Sequence, residues 1–328
     1  MLIDMEDYLK TDFDVIIDVR SPKEFEESHI PGSINLYVLN DEEHHEVGYL
    51  YKQVSKKAAN KKGVIYILKN ISHHLANNDF ENKKILIYCA RGGKRSESFY
   101  TILRQLGYDV YRLNKGYKGY RKYVTNYLQN IEHNFLVLRG PSGCGKSELL
   151  QNLTPSLDLE GFANHYGSSF GARGEQPSQK MFENMIFEKL RKIDKNDYVF
   201  IEAESSRIGN LLLPGNLTKK IKSSPQIEIN APLDDRIERI LKYYGDIDKN
   251  EFVNNLNKIK KYISNESYDE ILYNFEKGNL KTVAKILLVD YYDKVYKKKD
   301  ADYFILNNNL EETLKKIKEI KEKFVKIF

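Results

Sequence analysis

Short apolar runs alternate with stretches of helical spacing along the first part of the chain. Buried strands are predicted at residues 14–19, 85–88 and 108–113, with another short strand near residue 35. Helices are predicted at 64–77 and 96–106, the second with apolar Phe99, Ile102, Leu103 and Leu106 at helical spacing. Strands that alternate with helices in this way predict a parallel sheet that is covered on both faces.

The same alternation returns after a polar helical stretch at 116–130 that is rich in tyrosine and lysine. Strands are predicted at 135–138, 197–202 and 225–229, with a final edge strand at 302–306. Residues 233–300 are largely helical, and a last helix is expected at 309–327. The prediction is therefore an α/β fold, with a parallel-sheet domain at 1–130 and a second α/β domain at 131–328 that has a helical C-terminal region.

Length and composition agree with two globular domains, because the chain has 328 residues and is 41% hydrophobic. No apolar run approaches the ~18 residues that a membrane span needs. The N-terminus is acidic and lacks the layout of a signal peptide. The two cysteines form no CxxC pair. We therefore expect a cytoplasmic protein with a free thiol and no membrane partner.

Charge is distributed unevenly along the chain. Residues 1–46 hold thirteen acidic and three basic side chains, whereas residues 83–122 hold eleven basic and two acidic ones. Tyrosines are interleaved with the basic block, a mixture that suits phosphate backbones and stacked bases. An ordinary solvated helix face is an equally good explanation of such a block. The candidate RNA contacts are Lys115, Tyr117, Lys118, Tyr120 and Arg121.

Cys89 ends an apolar strand and opens a loop that contains two glycines and three basic side chains. A loop that leads into a helix start presents backbone N–H groups and a positive dipole to an anion, and a thiol there is placed to act as a nucleophile. Five residues separate Cys89 from Arg95, and Ser96 follows, which is the spacing of phosphatase loops. The pocket should therefore fit a phosphate-sized group, with Arg91 and Arg95 as charge partners. Tyr88 stands where protein phosphatases carry a histidine, which counts against a phosphatase.

A complete Walker A pattern, Gly-Pro-Ser-Gly-Cys-Gly-Lys-Ser, follows the strand at 135–138. Backbone N–H groups of such a loop wrap a di- or triphosphate, the lysine bridges it, and the serine can hold Mg²⁺. The strand at 197–202 resembles a Walker B strand, which would place Glu202 or Glu204 near the metal. The phosphate-binding candidates are Gly140, Ser142, Gly143, Gly145, Lys146 and Ser147.

Residues 158–179 are rich in small and polar side chains, and they suggest a substrate lid over the phosphate loop. A purely structural loop is the alternative. The segment at 202–209 could face this lid. The substrate-site candidates are Glu160, His165, Ser168, Ser169 and Gln176 in the lid, and Glu202, Glu204 and Arg207 opposite it.

Several motifs together resemble known families. Asp18-Val-Arg-Ser-Pro-Lys-Glu-Phe25 and His29-Ile-Pro-Gly-Ser-Ile-Asn35, followed by the cysteine loop, are similar to rhodanese signatures. A rhodanese followed by a P-loop unit with Leu159-Glu-Gly-x-Ala-x-His165 and Gln176-Pro-Ser-Gln179 resembles the tRNA 2-selenouridine synthase family over nearly the whole chain.

This resemblance implies a tRNA-modifying transferase. Its substrate would be the anticodon arm of a tRNA that bears wobble 2-thiouridine. Selenium would come from selenophosphate, and geranyl diphosphate would supply a geranyl group that turns the sulfur into a better leaving group. A selenophosphate-supplying protein is a possible partner. By position, Cys89 would be the family's rhodanese cysteine and Gly63 its functionally important glycine.

The resemblance also assigns a task to each loop, with selenophosphate at the Cys89 loop and the prenyl diphosphate at the Walker loop. Two positions depart from the family pattern: Ala90 stands where a tryptophan is common, and Tyr166 replaces an arginine in a His-Arg-Gly-Ser stretch.

Three other functions fit parts of the pattern. An ATP-dependent tRNA sulfurtransferase would use Cys89 as a persulfide carrier, but the Ser-Gly-Gly-x-Asp-Ser loop typical of adenylating thiolases is absent from the sequence. A small-molecule kinase fused to a phosphatase-like module would need no tRNA. A non-catalytic tRNA-binding protein would leave both reactive loops unused.

Overall fold

The computed structural model describes residues 1–167, 170–171, 173–244, 248–296 and 300–325, without the side chains of 243 and 244. The chain forms two compact units. Unit 1 comprises Met1–Asn130 and Pro177–Arg191, and unit 2 comprises Ile131–Gln176 and Lys192–Phe328. A helical segment from the second half of the chain therefore packs in unit 1.

The strands of the described chain are short. In chain order they are β1 (Leu2–Ile3), β2 (Val15–Asp18), β3 (Ile34–Asn35), β4 (Ile85–Tyr88), β5 (Val110–Leu113), β6 (Asn134–Arg139), β7 (Ser156–Leu157), β8 (Tyr198–Glu202), β9 (Arg207–Ile208), β10 (Leu211–Leu212), β11 (Gln226–Asn230) and β12 (Tyr303–Leu306).

The helices of the first half of the chain are α1 (Met5–Lys10), α2 (Pro22–Glu27), α3 (Asp41–Tyr49), α4 (Lys56–Asn77), α5 (Lys94–Gln105) and α6 (Gly116–Gln129). Those that follow are α7 (Lys146–Gln151), α8 (Leu159–Ala163), α9 (Gln179–Leu190), α10 (Gly215–Ser223), α11 (Leu233–Tyr244), α12 (Lys249–Ile259), α13 (Asn265–Glu276), α14 (Leu280–Ile286), α15 (Asp293–Val295) and α16 (Leu310–Val325). Turns of π-helix at Leu50–Val54 and Leu287–Tyr292 and a 3₁₀ turn at Lys260–Tyr262 extend α3, α14 and α12.

Unit 1 is built on a parallel sheet with the strand order β1-β5-β4-β2-β3. The central strand β4 is apolar along its whole length and has every residue buried, as expected of a strand covered on both faces. One hydrophobic core contains Ile87 of this strand together with Ile17, Phe99 and Leu103. This sheet places Cys89 at the carboxyl end of its middle strand.

Unit 2 contains a second parallel sheet, with the order β12-β11-β6-β8-β7. The phosphate loop follows its central strand β6, and β8, which ends at Glu202, pairs directly with β6. The carboxyl ends of neighbouring parallel strands lie at one edge of a sheet, so Glu202 and the phosphate loop share that edge.

The helices α12 to α14 of unit 2 have a core of their own, formed by Phe252, Leu256, Ile271 and Val283 together with Phe170 from the segment before α9. The rings of Phe252 and Phe275 stack face to face, with centroids 3.8 Å apart. The helical C-terminal region is therefore a packed body that can form the wall of a site.

The predicted α/β class with parallel sheets is confirmed, and β12 lies at a sheet edge as expected. The helix predicted at 64–77 begins earlier, at Lys56, because the side chain of Ser55 caps it by accepting a hydrogen bond from the Ala58 N–H. Strands β1 and β7 were not predicted, since two residues are too few for a periodic pattern. Among the described residues, no helix has both the length and the apolarity that a membrane crossing requires.

Candidate active site

Cys89 lies directly after β4 in unit 1, and its side chain is buried. The Ser96 hydroxyl, in the first turns of α5, donates a hydrogen bond to Cys89 Sγ at 3.2 Å. The helix begins at Lys94 with Gly93 as its N-cap, so the loop delivers its backbone to the start of a helix as predicted. The Cys89 thiol also donates to the Gly93 carbonyl at 3.8 Å, so contacts with the start of α5 fix the position of the sulfur.

The shape of the cysteine loop depends on Gly116, which opens α6. A Cβ at Gly116, whose φ is +50°, would lie 2.1 Å from the carbonyl oxygen of Cys89. The backbone N–H groups of Tyr117 and Lys118 donate to the carbonyls of Cys89 and Ala90 at 2.8 and 2.9 Å. The start of α6 thus holds the backbone of the cysteine loop in place.

The two arginines of the loop are placed differently. Arg95 forms an ion pair with Glu24 at 2.5 Å, whereas Arg91 is exposed to solvent. Burial by itself would raise the pKa of Glu24, but hydrogen bonding and the charge of Arg95 lower it. Arg95 is therefore held by a carboxylate, and Arg91 is the arginine of the loop that faces water.

Asp18 and Arg20 brace the sheet end beside the loop. Their side chains form a buried ion pair at 2.6 Å, and Arg20 also donates to the carbonyl of Ser28 at 2.7 Å. The Arg20 guanidinium stacks over the ring of Tyr117, 4.0 Å from its centroid.

Three of the predicted RNA contacts on α6 instead pack against α9 within unit 1. Tyr120 is fully buried, and its hydroxyl donates to Glu188 at 3.0 Å. Tyr117 is buried and accepts from Asn184, and Arg121 pairs with Glu183. Tyr117, Tyr120 and Arg121 are therefore committed to packing, because a helix from sixty residues further on covers this face. Lys115 and Lys118 are exposed.

Gly63 lies inside α4, away from any turn. A Cβ there would meet the side chain of Val47 at 3.6 Å, which is ordinary van der Waals contact. The backbone therefore does not require glycine at this position.

The phosphate loop of unit 2 has the glycine conformations that its motif predicts. A Cβ at Gly140 would lie 2.1 Å from the carbonyl oxygen of Ile229, and one at Gly145 would lie 2.5 Å from Asn307 Nδ2. Gly143 has a φ of +77° and packs against the backbone of Arg236. Other residues at these positions would displace the loop.

Lys146 is directed into the loop, and its Nζ donates to the carbonyl of Gly140 at 2.9 Å. Burial by itself would lower the pKa of Lys146, but charge interactions, with Cys144 first and then with Glu160 and Glu204, raise it. The lysine is therefore a fixed cation at the place where a phosphate would bind.

Three side chains that the sequence did not single out support this loop. Arg236 donates to the carbonyl of Ser142 at 2.8 Å and is anchored by Asp293. Asn307 donates to the carbonyl of Cys144 at 2.9 Å. Arg239, one turn along α11, lies 3.5 Å from the carbonyl oxygen of Gly143 and from Glu148. The only local signal for the two arginines is their three-residue spacing on one helix.

Glu160, Glu202 and Glu204 bring carboxylate oxygens within 4.8 Å of one another beside the phosphate loop. The Ser147 hydroxyl donates to Glu160 Oε2 at 3.2 Å, and Glu202 Oε1 accepts the backbone N–H of Glu160. Within the described chain, Glu202 Oε2 is buried without a hydrogen-bond partner.

Burial, followed by the repulsion of Glu160, raises the pKa of Glu204 to about 8. The pKa values of Glu160 and Glu202 are also raised, above all by burial. Clustered oxygen ligands, one of them unpartnered, fit a hard divalent cation such as Mg²⁺. The sequence indicated Ser147, Glu160, Glu202 and Glu204 as candidates. It did not predict that the four side chains lie together.

The segment predicted as a lid contacts this cluster at Gly167. A Cβ at Gly167 would lie 2.5 Å from Glu160 Oε1, and the Gly167 N–H donates to His165 Nδ1 at 3.0 Å. Gln176 donates to the carbonyls of Ala163 and Ile208 and accepts from the Asn210 N–H. These hydrogen bonds connect the end of this segment to the strand β9. Arg207 is exposed. Ser168 and Ser169 lie outside the described residues.

A cavity of about 990 Å³ opens from the phosphate loop of unit 2. Its polar part is lined by Lys146, Ser147, Glu160, Glu204 and Arg239. Its apolar part is formed by helices α11 to α14 and includes Ile240, Leu241, Phe252, Phe275, Val283 and Leu287. The cavity can therefore hold a ligand with a phosphate head and a hydrocarbon body.

Together, the fold and the two sites define the class of this protein: a domain with a cysteine loop is joined to a P-loop domain. A family model described as the tRNA 2-selenouridine synthase AAA domain matches residues 133–323, and a rhodanese-like domain model matches residues 3–123. The chain belongs to the tRNA 2-selenouridine synthase family.

Two relatives and one solved structure are similar to parts of this chain. The tRNA 2-selenouridine synthase of Psychromonas ingrahamii is 32% identical over 86% of this chain and 86% of its own length. That of Nitrosomonas europaea is 36% identical over 70% of this chain, and the match spans 63% of that relative's length. The crystal structure of an N-terminal domain from Clostridium difficile 630 is 41% identical, covers 38% of this chain and 98% of that one, and has a TM-score of 0.34.

Proposed function

We propose that this protein converts wobble 2-thiouridine of tRNA into 2-selenouridine with selenophosphate, through an S-geranylated base made from geranyl diphosphate. Family membership supports the reaction class. The observation that carries the prenyl step is the cavity of unit 2, because it joins a phosphate loop to an apolar chamber. A nucleotide would use the same loop but would leave the hydrocarbon wall without a matching ligand.

In the first step, the thio-base sulfur attacks C1 of geranyl diphosphate. The carbon–oxygen bond breaks, and pyrophosphate leaves into the phosphate loop. Lys146 and the backbone N–H groups at 143–147 stabilise the charge that develops on the leaving oxygen. Bound Mg²⁺, with Ser147 and the Glu160–Glu202–Glu204 cluster as its ligand candidates, would neutralise the diphosphate further.

The second step is assigned to the cysteine loop of unit 1. Selenium of selenophosphate attacks C2 of the base, geranylthiolate leaves, and water then cleaves the selenium–phosphorus bond to release phosphate. The Cys89 loop would bind the phosphate part of the donor, with Arg91 as the solvent-facing cation. Cys89 assists this transfer from its position at the centre of the loop, with Ser96 on its sulfur.

The test is mass spectrometry of nucleosides from 2-thiouridine tRNA incubated with enzyme, geranyl diphosphate and selenophosphate, with each donor omitted in turn. We expect geranylated thiouridine without selenophosphate and selenouridine with both donors. Lys146→Ala should abolish geranylation, while Cys89→Ser should spare geranylation and lose selenation. An unchanged base together with ATP consumption would replace this proposal with the ATP-dependent sulfurtransferase.

A further inference from the structure

The apolar part of the cavity has an aromatic wall. Phe252 on α12 and Phe275 on α13 both line it, and their rings are parallel to within 1° at a centroid distance of 3.8 Å. Phe170 also lines the cavity and packs on Phe252, with ring centroids 5.6 Å apart. Phe252 is only 3% exposed, so the wall is fixed by the core behind it.

A series of helix contacts connects the phosphate loop to this wall. Helix α11 carries Arg239 beside Gly143 of the phosphate loop, α14 packs against α11, and α13 packs against α14. Phe275 on α13 is therefore linked through α14 to α11, the helix that contacts the phosphate loop. Leu280, Val283 and Ala284 of α14 also line the cavity.

We propose that Phe275, backed by Phe252, closes the apolar chamber and sets the length of prenyl chain that the site accepts. This inference rests on the proposed prenyl-transfer function. A chain that ends short of the rings leaves apolar surface in contact with water, and a longer chain meets rings that cannot retreat into a packed core. A difference of a single methylene in such a pocket is commonly discriminated by about tenfold or more.

The experiment compares dimethylallyl, geranyl and farnesyl diphosphates as donors to 2-thiouridine tRNA, with kcat/KM measured for each. Phe275→Ala should raise the farnesyl-to-geranyl ratio of kcat/KM by about tenfold or more, and Phe275→Leu should raise it less. Phe324→Ala is the matched control, since Phe324 is a half-buried aromatic of the same unit that packs on Tyr198 and does not line the cavity. The farnesyl-to-geranyl ratio of kcat/KM for Phe324→Ala should equal that of the wild type.

Two further readouts separate failure of this inference from failure of the proposed function. Inorganic pyrophosphate should inhibit the wild type and Phe275→Ala equally, because the head-group site is unchanged. If the wild type geranylates tRNA but both Phe275 variants keep its ratio, the chain-length inference is overturned and the proposed function stands. If the wild type transfers none of the three prenyl groups, both are overturned. Phe275→Leu retains an apolar side chain, so the comparison survives if Phe275→Ala does not fold.

Discussion

Ser147 of the phosphate loop donates a hydrogen bond to Glu160 Oε2 at 3.2 Å, although the two residues are thirteen positions apart in the chain and a strand lies between them. Glu160 in turn meets Glu202 and Glu204, so the loop and the acidic cluster form one continuous polar site. A head group bound by Lys146 would therefore lie beside a ready set of cation ligands.

This cluster predicts an unusual dependence of stability on pH. The pKa of Glu204, about 8, lies above the ordinary carboxyl value of 4.5, so the folded protein holds a proton that the unfolded chain releases. Without divalent cations, the free energy of unfolding should therefore fall as pH rises from about 5 to 8, by at most about 1.4 kcal/mol per pH unit for each such proton. Added MgCl₂ should reverse the trend, because the cation replaces the proton.

Thermal unfolding at a series of pH values, with and without MgCl₂, measures both effects. Glu204→Gln should flatten the fall and weaken the response to Mg²⁺. Glu148→Gln, a carboxylate of the adjoining helix outside the cluster, is the control and should leave both unchanged. A wild-type stability that rises with pH over this window would contradict the assignment.

Arg239 should act in the prenyl step. Its side chain lines the polar part of the cavity and lies 3.5 Å from both the Gly143 carbonyl oxygen and Glu148, so it is held beside the place where a leaving pyrophosphate would bind. Arg239→Ala should lower kcat for geranylation by about 100-fold with little change in KM for tRNA. Arg239→Lys should recover part of the rate, since it keeps the charge but not the bidentate geometry. Lys242→Ala on the same helix should have wild-type kcat, and an equal loss there would contradict a specific role for Arg239.

The basic face of α6 should bind tRNA through its lysines and not its tyrosines. Lys118→Ala should weaken tRNA binding and reduce the slope of log affinity against log salt by about 1. Tyr120→Phe removes the hydroxyl that bonds Glu188, so it should cost about 1–3 kcal/mol of unfolding free energy and leave tRNA affinity unchanged. Filter binding at several salt concentrations measures the change in tRNA affinity, and urea unfolding measures the change in stability. Loss of affinity in a folded Tyr120→Phe protein would restore the tyrosine as an RNA contact.

Two glycines of unit 1 should respond in opposite ways to alanine. Gly116→Ala forces a Cβ to within 2.1 Å of the Cys89 carbonyl, so it should displace the cysteine loop and destabilise the unit by about 1–3 kcal/mol. Gly63→Ala meets only an ordinary contact with Val47 and should stabilise α4 by roughly 0.5–1 kcal/mol. Chemical denaturation and the selenation assay together check both. If Gly63→Ala is stable but inactive in selenation, the glycine serves the chemistry and not the fold.

The sequence by itself determined the alternating α/β pattern and the positions of Cys89 and the phosphate loop. These features are local: strand periodicity, turn glycines and a Walker motif each lie within a few residues, so neighbouring side chains specify them. The bounds of β4 were predicted in full for the same reason.

Tertiary structure alone decided the rest. Only folding brings α9 onto Tyr120, and it thereby takes three predicted RNA contacts out of solvent. Only folding places Arg239, Phe252 and Phe275 around one cavity, because they lie about 95 to 130 residues from the loop and carry no motif. The chemistry of the loops is encoded in short segments, whereas the shape of the chamber that selects their ligand depends on packing between distant helices.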